Sequence, residues 1–101
     1  MEIIKKTPEG FLENWKDWNK SIAQSLAQEQ NLSLSKEHWL VLDFVREFYT
    51  QYEYTPIQRF IIKHLRSVIP NSDSVYLKKL FPEGPRQICL IAGLPKPARC
   101  V

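Results

Sequence analysis

Two thiols are the side chains of this 101-residue chain whose type and placement point to covalent chemistry: Cys89, and Cys100 one residue before the last. Both lie in the stretch Cys89-Leu90-Ile91-Ala92-Gly93-Leu94-Pro95-Lys96-Pro97-Ala98-Arg99-Cys100-Val101. A core does not readily form around a penultimate residue, so the position of Cys100 suits a thiol meant to be presented. The thiolate is the nucleophilic form of cysteine, and neighbouring cations favour it. Arg99 adjoins Cys100 with that effect, and a carboxylate at Val101 opposes it.

The backbone chemistry of the same stretch explains how such a thiol would be carried. Gly93 enters the left-handed conformation without a Cβ penalty and is expected to end the preceding helix. Pro95 and Pro97 fix φ and push Leu94 and Lys96 toward extended geometry, so Leu94 to Pro97 is expected to run as a short polyproline-like rod. At roughly 3 Å per residue, Cys100 would reach up to about 20 Å from Gly93, enough to enter a cleft in another protein. It could equally fold back onto Cys89, because closing a short loop costs little entropy. The competing reading makes Cys89 a small buried hydrophobe and Cys100 part of a frayed terminus. A frayed tail, however, needs neither hinge nor rod.

Charge gathers at this end. From Tyr76 onward the chain carries Lys78, Lys79, Arg86, Lys96 and Arg99 against Glu83 alone, whereas the first 75 residues hold nine basic and ten acidic side chains. The formal charge of +3 therefore resides in the last quarter, which makes Lys96, Arg99, Arg86, Lys78 and Lys79 the candidate partner-binding cations.

A chain of this length is expected to be one domain with a modest core. At 44% hydrophobic and 25% charged residues it reads as globular. No apolar run approaches membrane-spanning length and Met1-Glu2-Ile3-Ile4-Lys5-Lys6 has no signal-peptide character, so a cytoplasmic place without membrane insertion is expected. In that compartment two cysteines are more often catalytic, redox-active or buried than a permanent staple.

The elements that must position the thiols follow from spacing. Residues 1–13 are expected to form a small β element around the turn Pro8-Glu9-Gly10. A helical bundle is expected over 14–92, and a mobile arm over 93–101. Asn14 or Asp17 is predicted to cap a first helix reaching Asn31, with Trp18, Ile22 and Leu26 on its buried face. Ser35 caps the strongest helix, Lys36 to Gln51. Thr55 followed by Pro56 predicts a third helix to Ser67 that buries Ile57, Phe60, Ile61 and Leu65. Ser72 or Ser74 opens a fourth helix, stopped by Pro82 and Gly84. Pro85 starts a short fifth helix that ends at Gly93. The fold class is mainly α, with a helix-turn-helix-like portion.

Other chemistries fit less well. Cys89, Cys100, His38 and His64 match no usual zinc spacing, so neither a metal nor a cofactor is expected; His38 reads as part of the first turn of the central helix and His64 as lying on a solvated face. No Gly-rich phosphate loop, Ser/His/Asp set or facing carboxylate pair occurs. A helix-turn-helix over Lys36 to Ser67 makes regulatory nucleic-acid binding the alternative, but its second helix offers only Gln58 to read base edges.

The motifs then meet a known pattern. Leu80-Phe81-Pro82-Glu83-Gly84-Pro85, Gln87, Ile91-Ala92-Gly93-Leu94-Pro95-Lys96-Pro97 and the penultimate Cys100 closely resemble the DsrC/TusE family of sulfur-relay proteins. The likeness continues through Pro8-Glu9-Gly10-Phe11-Leu12, Leu34-Ser35-Lys36-Glu37-His38-Trp39 and Phe44-Val45-Arg46-Glu47-Phe48-Tyr49. It implies a carrier that holds sulfur as a persulfide on Cys100 and exchanges it with a donor protein and an acceptor enzyme, a sulfite reductase or a tRNA-thiouridylating complex. The resemblance also implies that Cys89 is a resolving or disulfide partner, as in the two-cysteine DsrC type, and that Gly93, Pro95 and Pro97 aim the arm.

Overall fold

The computed structural model describes residues 4–96. Five helices follow a single 3-10 turn at Trp15–Asp17: α1 (Lys20–Glu29), α2 (Lys36–Tyr52), α3 (Gln58–Val68), α4 (Ser74–Leu80) and α5 (Pro85–Ile91). The expected β element appears within the described residues as an antiparallel bridge between Lys6 and Leu12, closed by Gly10 at φ +93°. Its preceding residues Met1 to Ile3 lie outside the described range. Lys6 is ion-paired with Glu29, which ties this turn to the end of α1.

Ser35 and Pro85 start α2 and α5 as their types predict. Three other starts differ. Asn14 caps only the 3-10 turn, and Asn19 caps α1 by accepting from the Ile22 N–H at 2.8 Å. Trp18 between them is extended, with ψ 143°, so its ring belongs to no helical face. α3 begins at Gln58, not after Thr55, because Pro56 is buried against the body and Ile57 remains extended as the N-cap. Its stripe reduces to Ile61 and Leu65, one helical turn apart, and Ile57 and Phe60 stay largely exposed. Asp73, not either serine, caps α4, while the buried Ser72 hydroxyl donates to the Ile69 carbonyl.

α5 is the centre of the body. Gln87 through Ile91 are buried along its length, and α5 packs on both α1 and α2. Side chains from every helix join this core, with Phe11, Leu26, Leu42 and Phe81 among its largest buried members. His38 links two elements inside it. Its Nδ1 accepts from the Ser35 N–H at 3.0 Å, which places the ring hydrogen on Nε2, where it donates to the Leu80 carbonyl at the end of α4. One ring thus satisfies a helix start and a helix end that would otherwise go unpaired. His38→Ala should lower the unfolding free energy in urea by about 2–4 kcal/mol. His38→Gln, which keeps both an acceptor and a donor, should lose clearly less, and equal losses would show that only ring volume matters.

Candidate functional site

The site grows from the end of α5. Gly93 adopts φ +71°, and its N–H donates to the Leu90 carbonyl at 3.2 Å while the Leu94 N–H donates to the Cys89 carbonyl at 2.9 Å. These two bonds form a Schellman cap, which turns the chain sharply off the helix axis. The cap places Leu94 in the core, fully buried. Leu94, the first residue of the segment expected to run extended to Pro97, is thus the last anchor in the core, and Pro95 and Lys96 are the first exposed residues beyond it. Pro97, Arg99 and Cys100 lie outside the described residues.

Two side chains from remote elements grip this turn. The Trp18 indole N–H donates to the Ile91 carbonyl at 2.9 Å. Arg46 on α2 donates from Nη1 to the Ala92 carbonyl at 2.8 Å and from Nη2 to the Trp15 carbonyl at 2.9 Å, and its guanidinium lies 4.3 Å from the centre of the Trp18 ring. Burial pulls the Arg46 pKa down, yet guanidinium starts so high that the cation persists. Its charge also suits the negative end of α5. A Cβ on Gly93 would stand 2.4 Å from Trp18 Cδ1, so glycine is required there by space as well as by φ. Sequence reading gave Arg46 no role; the available signal was a lone cation amid Phe44, Val45 and Phe48.

Beside the turn lies a groove of about 780 Å³, lined by Val45, Tyr49, Pro56, Ile61, Ile88 and Cys89, with Pro95 and Lys96 on its border. Cys89 is only 4% exposed and faces this groove from α5. The site therefore brings together Cys89, Gly93, Pro95 and Lys96, all four proposed from sequence.

The basic residues part company. Lys96 pairs with Glu9 at 2.8 Å, bringing the N-terminal turn to the arm root. The Lys96 hydrogen bond and charge, helped by Arg86, hold the Glu9 carboxyl below the usual carboxylate range. Arg86 itself lies 5.4 Å from the Phe11 ring centre and donates to the Glu9 carbonyl at 3.4 Å, a structural tie rather than part of the groove. Lys78 and Lys79 end α4 and do not line the groove. His64 is not simply solvated, because it stacks on Phe44 with ring centres 4.3 Å apart. Among the described residues no cluster of three or more His, Cys, Asp or Glu side chains could hold a metal ion, and no helix is long and apolar enough to cross a membrane.

The chain matches the family model described as "DsrC like protein" over residues 2–101. It is 45% identical to the sulfurtransferase TusE of Buchnera aphidicola subsp. Acyrthosiphon pisum, covering 99% of this chain and 90% of that one. Against the sulfurtransferase TusE of Sodalis glossinidius the identity is 40%, over 97% of this chain and 94% of that one. The fold is similar to the oxidized gamma-subunit of the dissimilatory sulfite reductase (DsrC) from Archaeoglobus fulgidus, with TM-score 0.90, 34% identity and coverage of 97% and 92%. It is likewise similar to DsrC of Allochromatium vinosum, with TM-score 0.83, 40% identity and coverage of 97% and 90%.

Two outcomes check the grip on the turn and its ion pair. Arg46→Ala and Gly93→Ala should each cost about 2–4 kcal/mol in urea, the first by stranding carbonyls and losing packing, the second by strain and collision with Trp18. An unchanged midpoint for either would show that the turn holds without it. A depressed Glu9 pKa means that the pair to Lys96 is intact above the ordinary carboxylate range and is lost as pH falls through the lowered value. NMR titration should show the Glu9 midpoint moving upward in Lys96→Ala, and no movement would remove the pair from the solution structure.

Proposed function

The chain belongs to the DsrC-like protein family, and from that premise we propose that Cys100 is the sulfur-carrying atom of a relay and Cys89 its resolving thiol. The protein is a sulfur carrier of the kind that serves tRNA thiolation or dissimilatory sulfur metabolism. The observation that carries the residue assignment is the anchored turn at Gly93–Leu94, which leaves Lys96 at the edge of the groove that Cys89 faces. Cys100 is four positions beyond Lys96, a reach of at most about 14 Å.

The chemistry balances as follows. Cys100 thiolate attacks the outer sulfur of a donor persulfide; the new S–S bond forms as the donor S–S bond breaks, and the electron pair leaves with the donor thiolate. Cys100 then holds a persulfide. An acceptor nucleophile attacks its outer sulfur and expels Cys100 as thiolate, so carriage involves no net redox change in this protein. Alternatively, Cys89 thiolate attacks the inner sulfur of that persulfide. This forms the Cys89–Cys100 disulfide and releases hydrosulfide: two thiols are oxidised and one sulfane sulfur is reduced.

Each side chain at the root has a part in this scheme. Gly93 and Pro95 direct the arm, with Pro97 extending it. Lys96 and Arg99 dock the arm and favour thiolate at its tip, while Arg86, Lys78 and Lys79 offer cations to a partner's surface. The partners are a sulfur-donor protein and an acceptor enzyme, either a sulfite reductase or a tRNA-thiouridylating complex, and we place the protein in the cytoplasm with them. Burial of Cys89 fits a thiol that acts only on a group delivered into its groove.

Intact mass after incubation with glutathione persulfide should show a gain of one sulfur that dithiothreitol removes. Cys100→Ala should abolish it. Cys89→Ala should still load and form no internal disulfide; if it cannot load while Cys100→Ala can, the two roles are reversed.

A further inference from the structure

A second concavity, of about 560 Å³, runs between α2 and α3 and takes no part in the thiol chemistry. Phe44, Phe48 and Tyr52 form its α2 wall at one-turn spacing, and Phe60 and His64 form the α3 wall. The rings make one continuous assembly, with Phe48 centres 4.6 Å from Tyr52, 5.3 Å from Tyr54 and 6.3 Å from Phe60. Much of it is open to water: Tyr52 is 50%, Tyr54 57% and Phe60 42% exposed. Exposed rings gathered in one place, instead of scattered singly, make this face a candidate interaction surface.

We propose, on the carrier reading above, that this trough is the docking site for the protein that exchanges sulfur with Cys100, and that the segment it seats is an amphipathic helix. Three observations fix that occupant. The first is continuity. Tyr54 touches Phe48 in the aromatic assembly and also lines the groove of Cys89, so the trough adjoins the groove that Pro95 and Lys96 border elsewhere. With Cys100 tethered within about 14 Å of Lys96, a partner must bring its reacting atom that close and so must cover the body around the root.

The second is shape. The α2 wall from Phe44 to Tyr52 spans nine residues, about 12 Å of helix, which seats about two turns of a partner helix laid between two others. The third is charge. Glu47 borders one wall and Lys63 the other, a balanced pair suited to a helix whose apolar stripe is flanked by opposite charges. Single-stranded RNA, which needs several phosphate contacts beside its stacking platform, would find one cation here offset by one carboxylate.

The experiment places a photo-crosslinking amino acid at position 60 of the full chain, irradiates it in cells, and identifies the adduct by mass spectrometry. The cross-linked protein is then purified and tested for exchange of sulfane sulfur with persulfide-loaded Cys100. An adduct to a protein that exchanges sulfur, joined through a helical segment, is the expected result. With that protein, Tyr52→Ser and Phe60→Ser should raise KM for transfer by about tenfold or more. Loading of the same variants by glutathione persulfide should be unchanged, since no partner is needed for that step. Adducts only to a second copy, only to RNA, or to proteins that exchange no sulfur would overturn the proposal, as would an absence of adducts or an unchanged KM. A failure of Cys100 to load from glutathione persulfide would fall instead on the carrier reading, while the identity of the adduct would still decide what the trough binds.

Discussion

The structure depends on satisfying the carbonyl end of α5 while the chain leaves it sideways. A buried helix end has four carbonyls without intrahelical partners. Here the Cys89 and Leu90 carbonyls are bonded by the turn itself, and the Ile91 and Ala92 carbonyls by Trp18 and Arg46. Every carbonyl of that last turn therefore has a named donor. The consequence is a rigid point of departure: the direction in which Pro95 leaves the body is set by groups on the 3-10 segment, α2 and α5 at once. A carrier whose thiol must enter another protein gains from such a root, because any wobble there would be magnified along the arm.

The same donors explain why the first thirty residues are shaped as they are. Trp18 can reach the Ile91 carbonyl only if the chain around it is extended, and the 3-10 turn capped by Asn14 presents the Trp15 carbonyl to Arg46. A continuous helix from Asn14 would have buried that carbonyl in its own ladder. The break between the turn and α1 is thus a condition of the grip on α5, and Asn19 restarts the helix where that obligation ends. The N-terminal turn is bound to the same region by Glu9 with Lys96 and by Arg86 with Phe11, so both ends of the described chain converge beside the groove.

Legibility followed the range of the interactions. Ser35, Pro85 and Gly93 act within a few residues of themselves, and their types alone located the start of α2 and both ends of α5. The turn at Gly93 was legible for the same reason, although Leu94 shows that a residue before proline can be a deep anchor of a segment that looks like a spacer. Arg46 and Trp18 were opaque, because their partners lie 46 and 73 positions away. Thr55-Pro56 gave a false start to α3 since the buried face of Pro56 is used against the body, a use that local chemistry does not encode. Cys100 and Arg99 fall outside the described residues, so their roles rest on chemistry and family membership.

The misplacement of α3 carries a further lesson. Periodicity assigned Ile57 and Phe60 to the core, as it would for any helix that exists only to be packed. In the fold they face water beside Tyr52 and Tyr54, and the core closes around Ile61 and Leu65 without them. A domain of this size has little stability in reserve, and leaving four large apolar side chains largely outside forfeits the stabilisation that their burial would bring. Folding alone does not account for that arrangement. The exposed face becomes intelligible once the body is more than a mount: Pro95 and Lys96 border the Cys89 groove and the aromatic trough adjoins that groove through Tyr54, so one approach by a partner would engage both.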